Sequence, residues 1–359
     1  MGMPSIDIKF TEKASASIER SASGIVALVL IGSGETAKTY SVVDLGTDIP
    51  SDTTDYNKKM IAFAKKGYTN PVTKVVVYET PANTEENAEK IIGDALTYMS
   101  AEKFDYLAVP QANSNGWNTT IETWVKTERE NENLVKAVLY NSKSDNEAIV
   151  NFTTEKIVVD GNEYSGDDFV SRIAGLLAGT SNTMSATYAV LTDVDSCTRL
   201  SKENMNKAVD NGEFIIFHDG DKAKTGRAVT SLTTTNDEKG EQFKKIKIVK
   251  AMDMIKSDIT KTAQDNYIGK FANTYENKML LVVAIASYFD VLVKEKVLDS
   301  YKVDFDYDSI KAYLKEHGKY KEGMTTDELK RANVGTNVFL VGTLSMLDSI
   351  EDITLNLSI

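Results

Sequence analysis

A glycine-rich segment near the N-terminus has the residue types of a nucleotide-binding loop. Gly32-Ser33-Gly34-Glu35-Thr36-Ala37 follows an apolar run and satisfies the G-x-G-x-x-[GA] spacing of dinucleotide-binding proteins. In those proteins a helix follows at once and presents its N-terminal amides to the pyrophosphate. Here residues 39–43 are typical of a strand. The segment therefore predicts a loop, and a dinucleotide-binding oxidoreductase using the Gly32-Ser33-Gly34 loop remains the alternative function.

Histidine and cysteine, the usual residues of relays and metal sites, are scarce. The chain has two histidines, His218 and His317, so a Ser-His-Asp relay must use one of them. The Gly and Asp content of 218–221 indicates a turn instead. Cys197 is the only cysteine, which argues against a disulfide framework and against a cysteine-ligated metal. We predict no catalytic, cofactor-binding or metal-binding residues and no cofactor.

Three aspartates have the early spacing of a calcium-binding loop. Asp304, Asp306 and Asp308 match it, but Ser309 stands at the glycine position and Lys315 at the position of the bidentate glutamate. We interpret these charges as flanking a strand before a helix. No P-loop motif is present in the sequence.

Composition and charge narrow the possible partners. The 359 residues are 42% apolar and 26% charged, which is typical of a folded globular protein. A net charge of −12 disfavours nucleic acid as a partner. The N-terminus has no secretion-signal pattern, and the longest apolar run, 279–286, is far shorter than the ~20 residues of a membrane span. We therefore expect no membrane insertion.

Hydrophobic periodicity predicts an α/β domain followed by an α+β region. Strands are predicted at 24–31, 74–78, 106–109, 135–140, 214–217 and 228–235, and helices at 55–66, 85–99, 119–130 and 167–177. After a charged stretch at 236–241 come a strand at 245–249, helices at 252–261, 275–297, 307–315 and 326–331, and a strand at 338–341. The predicted domains are a strand arm at 1–20, an α/β domain at 21–240, an α+β domain at 241–345 and a strand arm at 346–359.

Both ends of the chain alternate apolar and polar residues with a period of two, as half-buried strands do. The apolar positions are Ile6, Ile8 and Phe10 at the start and Ile353, Leu355, Leu357 and Ile359 at the end. A terminal strand either forms the edge of its own sheet or adds to a sheet of another subunit. Burial of the four C-terminal side chains would contribute on the order of 6 to 12 kcal/mol before ordering costs.

The two ends also carry a family resemblance. Residues 3–10 and 14–27, together with 335–339 and 353–357, are similar to segments of the tail sheath proteins of contractile phages and phage-tail-like R-type bacteriocins. The resemblance implies an outer α/β domain, subtilisin-like but non-catalytic, carried on an inner α+β domain. It also implies that both arms join sheets across subunits.

The same resemblance implies a structural function. Subunits would polymerise as stacked rings around an inner tail tube protein and contract to drive the tube through a target cell envelope. The implied partners are copies of the chain itself, the tube, and baseplate and tail terminator proteins, with assembly in the bacterial host cytoplasm as part of a released tail or tail-like particle. A soluble binding module with self-paired ends is a further alternative.

Overall fold

The computed structural model describes residues 18, 23–84 and 86–358. The chain divides into two compact units, Ala22–Met254 with Asp348–Ile359, and Met1–Ser21 with Ile255–Leu347. We call them the α/β unit and the helix–hairpin unit. The division follows Met254, whereas the sequence analysis placed a boundary after residue 240. The predicted N-terminal strand with Ile6, Ile8 and Phe10 lies outside the described residues, as does Ile359.

The α/β unit alternates strands and helices along the chain. Its elements are β1 (Ile25–Ile31), β2 (Lys38–Val42), α1 (Asp55–Lys65), β3 (Lys74–Thr80), α2 (Ala88–Ser100), β4 (Tyr106–Ala108), α3 (Asn118–Glu130), β5 (Ala137–Tyr140), β6 (Ile149–Phe152), β7 (Lys156–Val159), β8 (Asn162–Ser165), α4 (Gly166–Ala178), β9 (Val190–Leu191), β10 (Ser196–Cys197), α5 (Lys202–Asp210), β11 (Glu213–Phe214), β12 (Ile216–His218) and β13 (Ala223–Thr225). This order confirms the predicted mixed α/β fold.

A seven-stranded sheet forms the centre of the unit, in the order β11-β6-β5-β4-β1-β3-β2. Neighbouring strands are parallel except for the edge strand β2, which runs antiparallel to β3. The apolar residues of β1 are buried on both faces of the sheet. Val26 and Leu28 pack in one core and Ala27 and Val29 in the other, which explains why the run is continuously hydrophobic.

Helices cover both faces of this sheet. Side chains of α1 and α4 belong to one core, and those of α2 and α3 to the other. The helices α1 and α4 approach closely at Gly175, where a Cβ atom would lie 2.2 Å from the carbonyl oxygen of Ala64. Glycine is required at that position because any side chain would push the two helices apart.

Two small antiparallel sheets complete the unit, in the orders β10-β7-β8 and β12-β13-β9. In the second sheet β12 and β13 form a hairpin with the turn 219–222 at its end. This hairpin confirms the turn predicted after Phe217. The segments flanking β9 and β13 carry side chains that bind the C-terminal residues, as described below.

The helix–hairpin unit contains a separate core. After a short 3-10 helix at Glu241–Lys244, the remaining elements of the described residues are α6 (Ile246–Asn266), which crosses the division, α7 (Tyr275–Lys294), β14 (Leu298–Phe305), α8 (Tyr307–Glu316), α9 (Thr326–Arg331) and β15 (Leu340–Met346). Phe305, Ile310, Leu314 and Leu329 form the buried centre of this core. Within the described ranges, no helix combines the length and apolar character that a bilayer span requires.

Two predicted strands were wrong. Residues 246–249, most of the strand predicted at 245–249, are the start of α6. Residues 228–235 form no strand and make only an isolated bridge between Val229 and Lys245. Ile246, Ile248 and Val249 are all buried, so their β-branched pattern was mistaken for a strand.

Buried polar contacts hold this part of α6 on the α/β unit. The Lys250 ammonium donates hydrogen bonds to the carbonyl oxygens of Leu177 at 2.9 Å and Thr180 at 2.7 Å, at the C-terminus of α4. The Asp253 carboxylate accepts from Arg129 and Lys136 at 2.9 Å. These contacts join residues far apart in sequence and override the local strand preference.

Candidate assembly site at the C-terminal arm

The last residues of the described chain expose a series of large apolar side chains. We call residues 348–358 the C-terminal arm, 348–352 its root and 353–358 its pairing segment. Ile353, Leu355 and Leu357 are 82%, 74% and 81% exposed. No residue of the arm lies in a strand. The three side chains of the predicted C-terminal strand that the structure describes, Ile353, Leu355 and Leu357, are therefore uncovered in the single chain.

This exposure is unusual in its pattern as well as its extent. Isolated apolar residues are common on protein surfaces and need no explanation. Here three of them alternate with Thr354, Asn356 and Ser358, so in extended backbone all three lie on one face and the polar ones on the other. Such a segment has one face suited to burial and one suited to solvent.

In contrast, the root of the arm is bound to the α/β unit through Glu351 and Asp352. One carboxylate oxygen of Glu351 accepts hydrogen bonds from the hydroxyls of Ser185 at 2.9 Å and Thr187 at 2.6 Å. Arg227 lies with its Nε 3.6 Å from the other oxygen of Glu351. Its guanidinium also donates to Asp352 at 2.5 Å, and this hydrogen bond raises the pKa of Arg227.

Lysines at the start of α6 bind the other side of the root. Lys245 pairs with Asp348, and Lys247 donates to the Ser349 hydroxyl at 3.2 Å. Partial burial alone would raise the pKa of the Asp348 carboxyl, but the hydrogen bonds from Lys245 and the Ser349 amide, together with the charges of Lys245 and Lys247, lower it. Burial lowers the pKa of Lys247. The root is therefore held to the α/β unit from two sides by ion pairs and hydrogen bonds.

The small sheet β12-β13-β9 positions these binding side chains. The buried hydroxyl of Thr225 donates to the Ala186 carbonyl at 2.5 Å and accepts from the Ala189 amide at 2.8 Å. Thr187 in turn accepts from the Ala228 amide at 2.9 Å. The loop before β9 and the segment after β13 are thus tied together, which places Thr187 and Arg227 on the same side.

The helix–hairpin unit contains the two-stranded sheet β14-β15. β14 pairs with β15 in antiparallel fashion, and among the described residues neither has a second partner strand. Val303, Phe305 and Leu340 lie on the face that packs in the core, whereas Lys302 and Thr343 are exposed on the other face. We call this strand pair the hairpin, although α8 and α9 separate its strands in the chain. It has one apolar face and one mainly polar face, on which Val341 is also exposed. No strand among the described residues pairs with its outer edges.

The glycine-rich loop does not have the geometry of a phosphate site. Gly32 donates its amide to the Thr80 carbonyl at 3.0 Å, and Gly34 accepts from the Ala82 amide at 2.8 Å. The loop leads into strand β2, as predicted, so the helix that must follow a dinucleotide-binding loop directly does not follow this one. Its first glycine is explained by packing, because a Cβ atom on Gly32 would lie 2.2 Å from the Thr80 oxygen.

The remaining candidate residues have structural roles. His218 ends β12, and its Nδ1 accepts from the Gly220 amide at 3.1 Å within the turn. Asp306 caps the N-terminus of α8 and accepts from the Ser309 amide at 3.0 Å. No group of three His, Cys, Asp or Glu side chains suited to a metal ion is found within the described residues.

Sequence reasoning identified the arm but missed the residues that hold its root. Ser185, Thr187, Arg227 and Lys245 stand in no recognisable local pattern. Arg227 and Asp352 are 125 positions apart. Only the fold brings these residues together.

Two models of one protein family match most of the chain. Residues 60–231 match the phage tail sheath protein central domain, and residues 238–359 match the phage tail sheath C-terminal domain. The chain belongs to the phage tail sheath family. Members of this family are structural tail components and not enzymes. The alternative of a dinucleotide-binding oxidoreductase was therefore wrong, and strand β2 after the glycine loop gives the physical reason.

Relatives of this sheath family extend over the whole chain. The tail sheath protein of Clostridium phage phiCD119 is 38% identical over 356 residues, which cover 99% of this chain and 98% of that protein. A sheath tail protein from Desulfitobacterium hafniense superimposes with a TM-score of 0.71 at 16% identity, covering 85% and 94% of the two chains. The contracted helical sheath of the anti-feeding prophage gives 0.70 at 13% identity, covering 100% and 99%. These two structures share the fold.

Proposed function

We propose that this sheath protein polymerises as stacked rings around an inner tail tube and that the arms link each subunit to its neighbours. Contraction of the lattice would then drive the tube through a target cell envelope. The observation that carries this proposal is the C-terminal pairing segment, which is exposed, alternates strictly and is uncovered in the single chain. The family membership and the likeness to a contracted sheath support it.

The proposed acceptor of the pairing segment is the β14–β15 hairpin of another subunit. An added strand continues both faces of a sheet, so its apolar side chains must fall on the packed face and its polar ones on the exposed face. Ile353, Leu355 and Leu357 suit the face of Val303 and Phe305. Thr354 and Asn356 suit the face of Lys302. The open edges of the hairpin offer the backbone donors and acceptors that the arm needs.

The lengths are also compatible. Six residues of extended chain span about 20 Å at ~3.3 Å per residue. β14 has eight residues and β15 has seven, so either edge can pair the entire segment. The N-terminal residues Ile6, Ile8 and Phe10 are proposed to add to the other edge of such a sheet. The hairpin would then become part of a four-stranded sheet shared between subunits.

Energy for contraction is proposed to come from repacked subunit interfaces, without nucleotide hydrolysis. The subtilisin-like fold that the resemblance implies for the α/β unit would concern fold alone and would imply no protease activity. The proposed partners beyond the sheath itself are the inner tube, the baseplate and the tail terminator, with assembly in the host cytoplasm into a phage tail or a tail-like particle.

Mixed single-cysteine variants test the strand exchange directly. In a Cys197→Ser background, one preparation carries Asn356→Cys in the arm and the other carries Lys302→Cys or Thr343→Cys in the hairpin. A short bis-maleimide should join the two preparations after they are assembled together, because arm and hairpin come from different copies. Electron microscopy should show rings or tubes, and removal of residues 353–359 should abolish them while the subunit stays folded.

A different cross-linking pattern would contradict strand exchange between subunits. Should cross-links form only inside one chain that carries both cysteines, and never between the two preparations, the arm pairs with its own subunit. The protein would then resemble a binding module with self-paired ends. Matched preparations with Ser181→Cys, far along the chain from the hairpin, measure the background of random collisions.

A further inference from the structure

The arm root is fastened on both sides of a fully exposed residue. Ile350 is 88% exposed, while Ser349 before it and Glu351 after it both bind the α/β unit. The root therefore follows a fixed path with its polar side chains turned toward the unit and Ile350 turned away. Free termini have no such series of contacts and are usually poorly ordered.

Glu351 is the centre of these contacts. Its side chain is 15% exposed, and the hydroxyls of Ser185 and Thr187 and the guanidinium of Arg227 surround its two oxygens. Asp352 is 80% exposed and adds a second carboxylate to the same guanidinium. Exposed ion pairs alone contribute little, but a largely buried carboxylate with several donors is specifically oriented.

We propose that Arg227, together with Ser185 and Thr187, positions the arm by clamping Glu351 and Asp352, so that the pairing segment leaves its own subunit at Ile353. We call this group the arm clamp. The inference rests on the proposed strand exchange. Arg227, Ser185 and Thr187 are positioning residues, since none of them touches the partner's sheet in the proposed pairing.

The position of the clamp fits the periodicity of the arm. Ile353, Leu355 and Leu357 share one face of an extended chain, but Ile350 is three positions before Ile353 and falls on the other face. The pairing register therefore begins immediately after the last clamped residue, Asp352. The root belongs to the α/β unit. Because the clamp fixes the root there, force from a paired neighbour would be transmitted to the α/β unit.

The clamp should favour assembly by ordering the root in advance. If the root were released, its five residues would be flexible in the free subunit and would have to be ordered when the strand pairs. The conformational entropy lost by each ordered residue opposes binding. We expect Arg227→Gln to raise the critical concentration for assembly about tenfold, which corresponds to ~1.4 kcal/mol. Arg227→Lys keeps a positive charge and should restore part of the difference.

Spin labels on the unassembled full-length chain test the clamp without relying on strand exchange. In a Cys197→Ser background, a label at Ile350→Cys should be restricted in motion and a label at Leu357→Cys should be mobile, below the assembly concentration. Arg227→Gln should release the label at 350 and leave that at 357 unchanged. Equal mobility at both positions, or no response to Arg227→Gln, would overturn the clamp.

The two proposals fail in different ways. If the spin label at 350 responds to Arg227→Gln but cross-linking finds no exchange between chains, the clamp exists and the strand exchange is wrong. If Arg227→Gln leaves the critical concentration unchanged while it frees the label, the clamp has no role in assembly and its positioning function is refuted. Unchanged thermal unfolding of each variant is the control for folding.

Discussion

Replacement of Leu355 by alanine removes the central apolar contact proposed for the arm. The change deletes three carbon atoms from a side chain that is 74% exposed in the single chain, and each buried carbon contributes about 0.8 kcal/mol. The loss on pairing is therefore about 2 kcal/mol, which corresponds to roughly a 30-fold weaker link. The free subunit should be affected little, since Leu355 contributes little buried surface there.

The assay is the critical concentration for assembly, measured by sedimentation of polymers and by electron microscopy of the same samples. Thr354→Ala is the matched control, because it shortens the adjacent side chain on the polar face. It should change the critical concentration by no more than about threefold, since exposed substitutions usually stay within about 0.5 kcal/mol. Equal effects of the two variants, or none for Leu355→Ala, would refute the one-faced pairing of the arm.

Further predictions concern the stability of the single subunit and its response to NAD. Asp193→Ala should lower the free energy of unfolding by about 3 to 5 kcal/mol in chemical denaturation, because it leaves the buried Arg172 without the carboxylate now 2.8 Å from its Nε. The control variant Asp52→Ala breaks an exposed ion pair with Lys38 and should lower the free energy of unfolding by less than about 1 kcal/mol. Burial lowers the pKa of Lys250 to about 8. Above that pH the unfolded chain holds more protons, so stability should rise toward pH 10, and Lys250→Met should remove that rise in stability. Finally, NAD should leave the melting temperature unchanged, and a shift of several degrees would contradict the assignment of Gly32 to a packing role.

Local pattern was sufficient to predict the α/β unit up to β5, together with α4, whereas β6 to β10, α5 and β13 were not predicted. The continuous apolar run of β1 correctly predicted a strand buried on both faces. The elements α1, β3, α3 and α4 lie close to their predicted positions. These elements have sequences whose own periodicity agrees with their burial. The helix α2 begins at Ala88, with Asn87 as its N-cap residue, a few residues after the predicted start.

The elements that were mispredicted depend on distant contacts. The N-terminal turns of α6 have strand-like β-branched residues, but Lys250 caps α4 there and Asp253 binds Arg129 and Lys136. The pairing of β14 with β15 was also not predicted, since two helices separate these strands in the chain. No window of local sequence contains this information.

The candidate site also has one part that local sequence predicts and one part that only the fold shows. The alternation of Ile353, Leu355 and Leu357 is a local property and could be recognised from the sequence. The contacts of Glu351 with Thr187 and Arg227 are not, because they join segments more than a hundred residues apart. Sequence thus indicated that the arm pairs, whereas the fold was needed to find where the arm is held.

The expected strength of one proposed arm link would explain why several links are needed to hold a subunit. Burial of Ile353, Leu355 and Leu357 contributes about 5 to 9 kcal/mol, at roughly 1.5 to 3 kcal/mol each. Ordering the six residues of the pairing segment opposes this with about 6 to 12 kcal/mol, at ~1 to 2 kcal/mol per residue. Side-chain burial alone therefore does not hold an arm, and main-chain hydrogen bonds of ~0.5 to 1.5 kcal/mol each must decide the balance. A link that is only marginally favourable in isolation forms reversibly, which lets misplaced subunits dissociate. It becomes persistent when one subunit is held by several arms at once, because each further pairing is then intramolecular.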